Sequence, residues 1–147
     1  MCDKPFIRVF LADFSRERAV IEKLRMEVFV REQGVPEEME MDDRDMHCQH
    51  FLAQSGTVFV ATARLDTALK GKVGRLAVLS SYRRCGVGTQ IMGQVHRTAR
   101  DEGLSEVWCH AQRSAQEFYL KLGYEPFGPA FDEAGIEHIR MRWVLSS

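Results

Sequence analysis

Glycine and arginine residues make residues 78–89 the segment of this sequence best suited to bind an anion. An apolar run leads into a turn that contains Gly86 and Gly88, and an amphipathic pattern follows the turn. Glycines let the backbone approach a phosphate, and the amides and dipole of a helix N-terminus attract negative charge. Arg83 and Arg84 add charge-assisted hydrogen bonds. The segment therefore predicts a diphosphate-binding site.

Two common nucleotide-binding loops do not match this turn. A Walker A loop requires a lysine before its Ser or Thr, whereas Gly88 precedes Thr89 directly. The dinucleotide fingerprint requires a third glycine, and Ile91 occupies that position. An ordinary tight turn after a strand stays an alternative, because a Gly-x-Gly pattern alone is weak evidence.

Tyr119 and four other residues are candidates for the proton transfers of catalysis. A phenol with a pKa of ~10 is able to donate a proton to a leaving group, although aromatic residues at helical spacing more often pack in a core. Imidazole and carboxylate groups suit the opposite step, the deprotonation of a nucleophile. A lone histidine in a strand is more often structural, so the pattern leaves this second choice open. The candidates for deprotonating the nucleophile are Glu32, His50, His110 and His138.

The acidic segment 37–45 contains six carboxylates and one basic residue, Arg44. This composition predicts a solvated loop with at most a short helix, and it is a weak indication that the substrate is a cation. His47, Cys48 and His50 follow, but their spacing matches no metal-ligand pattern. We therefore predict no metal site.

The periodicity of apolar residues predicts the elements that hold these candidates. Asp13 or Ser15 caps a first helix, which ends at Gly34. A second helix follows Gly88, and Ser114 opens a short third helix through a capping box. The order of elements indicates an α+β mixed sheet covered by helices. Strands are predicted over residues 6–11, 51–53, 58–65, 73–79, 104–111, 124–127 and 138–145.

The composition favours a single compact domain over residues 1–147, which are 45% hydrophobic and 28% charged. A net charge of -1 provides no field that would attract nucleic acid or an anionic membrane. The N-terminus is charged where a signal peptide needs an apolar run, and no stretch approaches the ~18 apolar residues of a membrane span. The four cysteines are widely spaced, which predicts reduced thiols and a cytoplasmic location.

Two motifs resemble those of the GNAT superfamily of N-acetyltransferases. Val78-x4-Arg83-x2-Gly86-x-Gly88 resembles the diphosphate-binding motif of that family. Ala115-x3-Tyr119-x-Lys-Leu-Gly-Tyr124 resembles its second signature, in the same order and separation. Residues 24–36 and the run Gly135-Ile-Glu-His138 further resemble the ElaA-like branch, so the resemblance covers nearly the whole chain.

The resemblance implies the GNAT fold, with about six to seven strands in a mixed central sheet covered by about four helices. It implies that two strands splay apart and that the pantetheine arm of acetyl-CoA lies between them. Tyr119 is implied as the general acid for the thiolate, and His138, followed by Glu32, as the group that activates the amine. Cofactor contacts are implied at Leu76, Ala77, Val78, Arg83, Arg84, Cys85, Gly86, Val87, Gly88, Thr89, Gln112 and Tyr119.

Two positions depart from the pattern of that family. Gln112 stands where asparagine is usual, so one contact to the pantetheine arm is expected to be longer or lost. Arg75 stands where several relatives place a catalytic glutamate, so that assignment does not carry over.

The sequence thus predicts an N-acetyltransferase with acetyl-CoA as donor and direct transfer to an amine. The acceptor stays open among a small amine, an amino sugar and a protein lysine or N-terminus, and we expect a small molecule in preference to a protein. A longer acyl-CoA as donor and a homodimer also stay open. The alternative function is a non-catalytic acyl-CoA-binding or sensor module with the same fold. The charge balance argues against a nucleic-acid module.

Overall fold

The computed structural model describes residues 6–37 and 41–145 of the chain. Within these residues, seven strands form one mixed sheet, which confirms the predicted α+β class. The strands are β1 Ile7–Ala12, β2 Gln49–Ser55, β3 Val58–Asp66, β4 Lys72–Val78, β5 Glu106–Gln112, β6 Glu125–Glu133 and β7 Ile136–Val144. Their spatial order is β1-β2-β3-β4-β5-β7-β6, and all neighbours are antiparallel except the parallel pair β4 and β5.

Three complete α-helices lie within the described residues, where about four were predicted, and Glu37, next to the undescribed residues 38–40, is also helical. They are α1 Phe14–Arg25, α2 Val87–Asp101 and α3 Gln116–Lys121. The first helix continues beyond α1 as a π-helical segment, Met26–Glu32. Apolar spacing of about four residues fits both helix types, so the sequence pattern did not distinguish them.

The two predicted helix caps differ in outcome. Asp13 caps α1, because its carboxylate accepts a hydrogen bond from the backbone N–H of Ser15 at 3.1 Å. The predicted capping box at Ser114 is wrong, because Ala115 occupies the N-cap of α3 and no side chain caps that helix. A short 3-10 turn, Arg113–Ala115, precedes α3 instead.

Helices cover both faces of the sheet. The buried stripe of α2, which includes Ile91 and Val95, packs in one cluster with Phe51 and Ala53 of β2. Leu52, which points to the opposite face of β2, packs with residues of α1 in a second cluster. The sheet is therefore the middle layer of the molecule.

Strands β4 and β5 diverge soon after they meet, as the resemblance implied. Lys72 and Trp108 are the one registered pair between them in the described part of the chain. On its other side, β4 bulges against β3, because Arg75 and Leu76 together stand opposite Ala63. Arg75 has a φ of 52°, which is uncommon for a residue other than glycine. The divergence and the bulge open a gap in the middle of the sheet.

Candidate active site

The predicted diphosphate turn joins β4 to α2. Gly86 has a φ of 76° and forms the N-cap of α2, which is 15 residues long. A Cβ atom at Gly86 would meet no heavy atom within 4 Å, so the backbone is open on this side. An exposed backbone at the N-terminus of a long helix suits an anion.

Gly88 has a packing role in addition to the cofactor contact predicted for it. Its φ lies outside the positive region, and a Cβ atom there would lie 3.1 Å from Cζ of Phe118, next to Tyr119 on α3. The absence of a side chain at Gly88 therefore lets α2 pack closely against α3. The turn itself depends on Gly86.

Arg83 of the turn forms a two-pronged ion pair with Glu32. Its Nη1 and Nη2 atoms each donate to a carboxylate oxygen of Glu32 at 2.9 Å, and its Nε donates to the carbonyl oxygen of Val78 at 3.0 Å. Glu32 ends the π-helical segment, so the pair links that segment to the turn. Glu32 does not line the cavity described next, and its role in amine activation stays a prediction that this ion pair does not favour.

A cavity of about 310 Å³ lies at the gap between β4 and β5. Gly74 and Leu76 line it from β4, and Ala111 and Gln112 line it from β5. A Cβ atom at Gly74 would meet no heavy atom within 4 Å, in agreement with open space between the strands. The other lining residues are Phe29, Gln33, Val35, Lys72, Val73, Arg75, His110, Ser114, Ala115, Tyr119, Glu133, Ala134, Ile136 and His138.

The predicted site residues divide between this cavity and the turn. Leu76, Gln112, Tyr119 and His138 line the cavity. The amide nitrogen of Gln112 donates to Oε1 of Gln33 at 2.9 Å, so its side chain is already oriented. The predicted contacts outside the lining are Ala77 and Val78 in β4, and Arg83, Arg84, Cys85, Gly86, Val87, Gly88 and Thr89 at the turn and the start of α2.

Tyr119 is buried where α3 meets the sheet. Burial raises the pKa of its phenol well above the usual value, and the neighbouring Cys109 acts in the same direction. The phenol therefore stays protonated through the neutral range and is available as a proton donor. Burial also raises the pKa of Cys109, to about 12, which makes that thiol a poor nucleophile.

Two histidines and one carboxylate meet at the wall formed by β5 and the β6–β7 hairpin. Nδ1 of His110 lies 3.2 Å and 3.3 Å from the carboxylate oxygens of Glu133. Nε2 of His138 lies 3.8 Å from the same group, and Nδ1 of His138 lies 2.7 Å from the carbonyl oxygen of Ile136. The hydrogen bond with His110 lowers the pKa of Glu133, so this residue is a carboxylate at neutral pH. We call these three side chains the His-Glu cluster.

Glu133 was not among the predicted site residues, and neither was Lys72. The predicted strand ended at Phe127 because Gly128 and Pro129 are typical turn residues. In the structure β6 continues through them with a register shift, and as an edge strand it tolerates proline. Continuing the strand pattern past Gly128 and Pro129 would have placed Glu133 in β6, and this continuation is the sequence signal for it.

The interpretation of segment 37–45 as a solvated loop is wrong for two of its carboxylates. Asp45 is 2% exposed and accepts hydrogen bonds from Arg25 at 2.9 Å and Arg64 at 2.8 Å. Asp42 accepts from Arg64 at 2.7 Å and pairs with Arg75 at 3.3 Å. These arginines neutralise the two aspartates, so the segment is a weaker attractor of cations than its composition suggested. Residues 38–40 lie outside the described part of the chain.

His50 lies in this region and not in the cavity. It is buried, stacks on Phe14 at 4.2 Å between ring centroids, and its Nε2 lies 2.7 Å from the carbonyl oxygen of Asp45. Burial lowers its pKa. These contacts fit a structural residue.

The expectation that all thiols are reduced is wrong, as Cys85 shows among the described cysteines. Cys85 is disulfide-bonded, whereas Cys48 and Cys109 are free. Wide spacing along the chain therefore did not exclude a disulfide. In the described residues, no helix combines the length and apolar character needed to cross a membrane.

Comparison with known proteins identifies the family of the chain. Residues 10–145 match the family model described as an acetyltransferase (GNAT) domain. A Bacillus subtilis (strain 168) relative with a provisional acetyltransferase name is 40% identical over 123 residues, which cover 81% of this chain and 84% of the relative. The crystal structure of Escherichia coli ElaA superposes with a TM-score of 0.81 at 28% identity, over 93% of this chain and 99% of ElaA.

An acyl-CoA N-acyltransferase from Pseudomonas aeruginosa is similar to the same degree. Its structure gives a TM-score of 0.82 at 27% identity and covers 93% of this chain and 99% of its own. The family match, the sequence relative and the two structures agree with one another on the family and on the fold. The chain belongs to the GNAT family of acetyltransferases, in its ElaA-like branch, and is an acyltransferase.

Proposed function

We propose that this acyltransferase moves an acetyl group from acetyl-CoA directly to the amine of a small molecule. The observation that carries the proposal is a single cavity that contains the strand gap, the protonated phenol of Tyr119 and the His-Glu cluster. The proton donor and the proton acceptors therefore line the same cavity, beside the gap between β4 and β5 that would hold the pantetheine arm. The name of the Pseudomonas relative, an acyl-CoA N-acyltransferase, supports the same chemistry.

The residues present fit acetyl-CoA. Gly86 and the adjacent N-terminus of α2 would hold its diphosphate, with Arg83 nearby as a cation. Gly74 leaves room for the pantetheine arm, and Gln112 offers an amide to it. When bound, acetyl-CoA supplies a thioester whose carbonyl carbon is open to attack by an amine and whose sulfur leaves as a thiolate.

Amine activation is assigned to His138, with Glu133 as its partner. A carbonyl oxygen only accepts hydrogen bonds, so the Nδ1 of His138 beside Ile136 carries a proton and its Nε2 has a free lone pair in the neutral ring. That lone pair is able to take the proton of an ammonium group. The carboxylate of Glu133, 3.8 Å away, then stabilises the imidazolium. By the same argument His110, whose Nδ1 faces Glu133, is the second candidate.

Tyr119 is assigned to the opposite step, protonation of the departing thiolate. Its phenol is protonated at neutral pH and lines the same cavity. Direct transfer requires no protein nucleophile. The disulfide at Cys85 and the raised pKa of Cys109 agree with this, since neither sulfur is a thiolate at neutral pH.

Free-thiol release from acetyl-CoA, measured across a panel of small amines, tests the proposal. Turnover should require an amine and should fall by about 10² to 10⁴ in His138→Gln, the range typical of a positioned base. Propionyl-CoA and longer thioesters in parallel reactions determine the preferred donor. Thiol release that is independent of the amine would overturn the proposal.

The cytoplasmic location and the homodimer stay predictions from the sequence.

A further inference from the structure

Lys72 is a cation of the cavity that the proposed reaction does not use. It begins β4, it is partly buried, and its Nζ lies 5.4 Å from the centroid of the Trp108 ring. Within the described residues, none of the ion pairs includes Lys72. The side chain therefore brings a positive charge to the cavity wall, beside an aromatic ring.

The surroundings of Lys72 leave this charge under-compensated. Burial lowers the pKa of Lys72, and the nearby charges of Arg64 and Arg75 act in the same direction, so that the pKa stays below its usual value despite the attraction of Glu133 and Asp66. A partly buried cation without an ion-pair partner has a cost in free energy, which a bound anion relieves. Arg75 also lines the cavity, but it already pairs with Asp42 at 3.3 Å.

The opposite charge lies in the same cavity. Glu133 is a carboxylate bonded to His110 and close to His138. A substrate amine arrives mostly as an ammonium ion, which this cluster attracts and deprotonates. Lys72 repels the same ammonium ion. A simple amine therefore meets one favourable and one unfavourable charge, whereas a zwitterion satisfies both.

We propose that the acceptor is an amine that also carries a carboxylate, of the amino-acid class. The ammonium of Lys72 binds the carboxylate, and the acceptor amine points to the His-Glu cluster. This inference rests on the proposed function, because it names the substrate class of the same site. A single lysine matches the single charge of a carboxylate better than the nearly double charge of a phosphate.

Matched acceptors test the inference through kcat/KM. L-phenylalanine is compared with 2-phenylethylamine and L-alanine with ethylamine, since each pair differs in the carboxylate alone, and O-phosphoethanolamine represents a phosphate. The wild-type protein should prefer each amino acid by about 10- to 100-fold, as expected for a hydrogen bond to a charged group. Lys72→Met keeps the aliphatic stem over Trp108 and should remove this preference through KM. Lys72→Arg should restore part of it.

A matched control and a binding measurement separate the outcomes. Lys121→Met removes an exposed lysine of α3 outside the cavity lining and should leave the preference unchanged. Two results would overturn the inference while acetyl transfer stands. One is that Lys72→Met lowers kcat/KM equally for both members of an acceptor pair. The other is that the wild-type protein prefers the decarboxylated amines or the phosphate. If acetyl-CoA raises the melting temperature but no amine of a broad panel is acetylated, the proposed function fails and the inference fails with it.

Discussion

Tyr119 and Tyr124 are two buried tyrosines whose hydroxyl groups have different partners. The hydroxyl of Tyr119 interacts with Cys109 at the cavity, whereas that of Tyr124 lies 2.7 Å from Nε2 of His96, away from the cavity lining. Tyr119→Phe deletes the proposed acid and keeps the ring. We expect kcat to fall by about 10² to 10⁴ while the affinity for acetyl-CoA is preserved. Steady-state kinetics and a binding titration measure the two quantities.

Tyr124→Phe is the matched control for this prediction. It also removes one buried hydroxyl and should cost about 1 kcal/mol of unfolding free energy, with kcat unchanged. The deficit of Tyr119→Phe should shrink as the pH approaches the pKa of the CoA thiol, because the thiolate then leaves without a proton donor. Equal kcat values for the two variants would leave Tyr119 without a catalytic role.

Gly86 is the other residue whose substitution separates binding from folding. Gly86→Val places a branched side chain at a φ of 76° and over the proposed diphosphate, so acetyl-CoA binding should be lost. Gly56→Val is the control, because Gly56 also has a positive φ, of 61°, with open space around its Cβ position, but it lies in the β2–β3 turn. Both variants should lose about 1–2 kcal/mol of stability from the strained backbone. Retained binding in Gly86→Val would place the diphosphate elsewhere.

At the scale of elements, Asp45 joins the acidic segment to α1 and β3. Burial raises its pKa, but the charge of Arg25 and the hydrogen bond from Arg64 outweigh burial, so the pKa lies below its usual value. A lowered carboxylate pKa contributes stability above the usual value of about 3.9 and loses that contribution as the pH falls through the folded-state value. Asp45→Asn should therefore cost about 3–5 kcal/mol near pH 7.

Chemical denaturation across pH checks this prediction. The difference between wild type and Asp45→Asn should be constant near neutrality and should shrink below about pH 4. Glu27→Gln is the control, since Glu27 forms an exposed pair with Arg31 at 3.1 Å and should contribute less than about 1 kcal/mol. A difference that does not change with pH would show that Asp45 stabilises the fold by packing and not by charge.

The elements also show what the sequence was able to predict. The stripe of α2, the N-cap at Asp13 and the turn at Gly86 depend on local spacing, and the structure has all three. The cavity depends on register between strands distant in sequence: β4 with β5, and β6 with β7. Local periodicity contains no information about such pairings. Lys72 and Glu133 were missed for that reason.

Charge pairing was the second limit of sequence reasoning. Six carboxylates within nine residues indicated a solvated segment, yet Asp45 is buried because Arg25 and Arg64 arrive from other elements. Counting the residue types within one segment takes no account of charged partners that lie elsewhere in the sequence.

For the whole molecule, acetyl-CoA should stabilise the native state. A ligand that binds only the folded chain adds about 2.7 kcal/mol at about 100 times its Kd. For a domain of this size each kcal/mol raises Tm by about 2–4 °C, so a shift of about 5–10 °C is expected. Thermal denaturation with and without millimolar acetyl-CoA measures it, and Gly86→Val should show no shift.

The most direct test of acetyl transfer follows the acetyl group itself. Acetyl-CoA with an isotopically labelled acetyl group is incubated with the protein and an amine, and both products are quantified by mass spectrometry and thiol titration. The proposal predicts that the label is recovered as the amide of the acceptor, one for each thiol released, and that Tyr119→Phe slows both products equally. Thiol release with the label recovered as free acetate, or binding of acetyl-CoA with no amide from any amine, would contradict it.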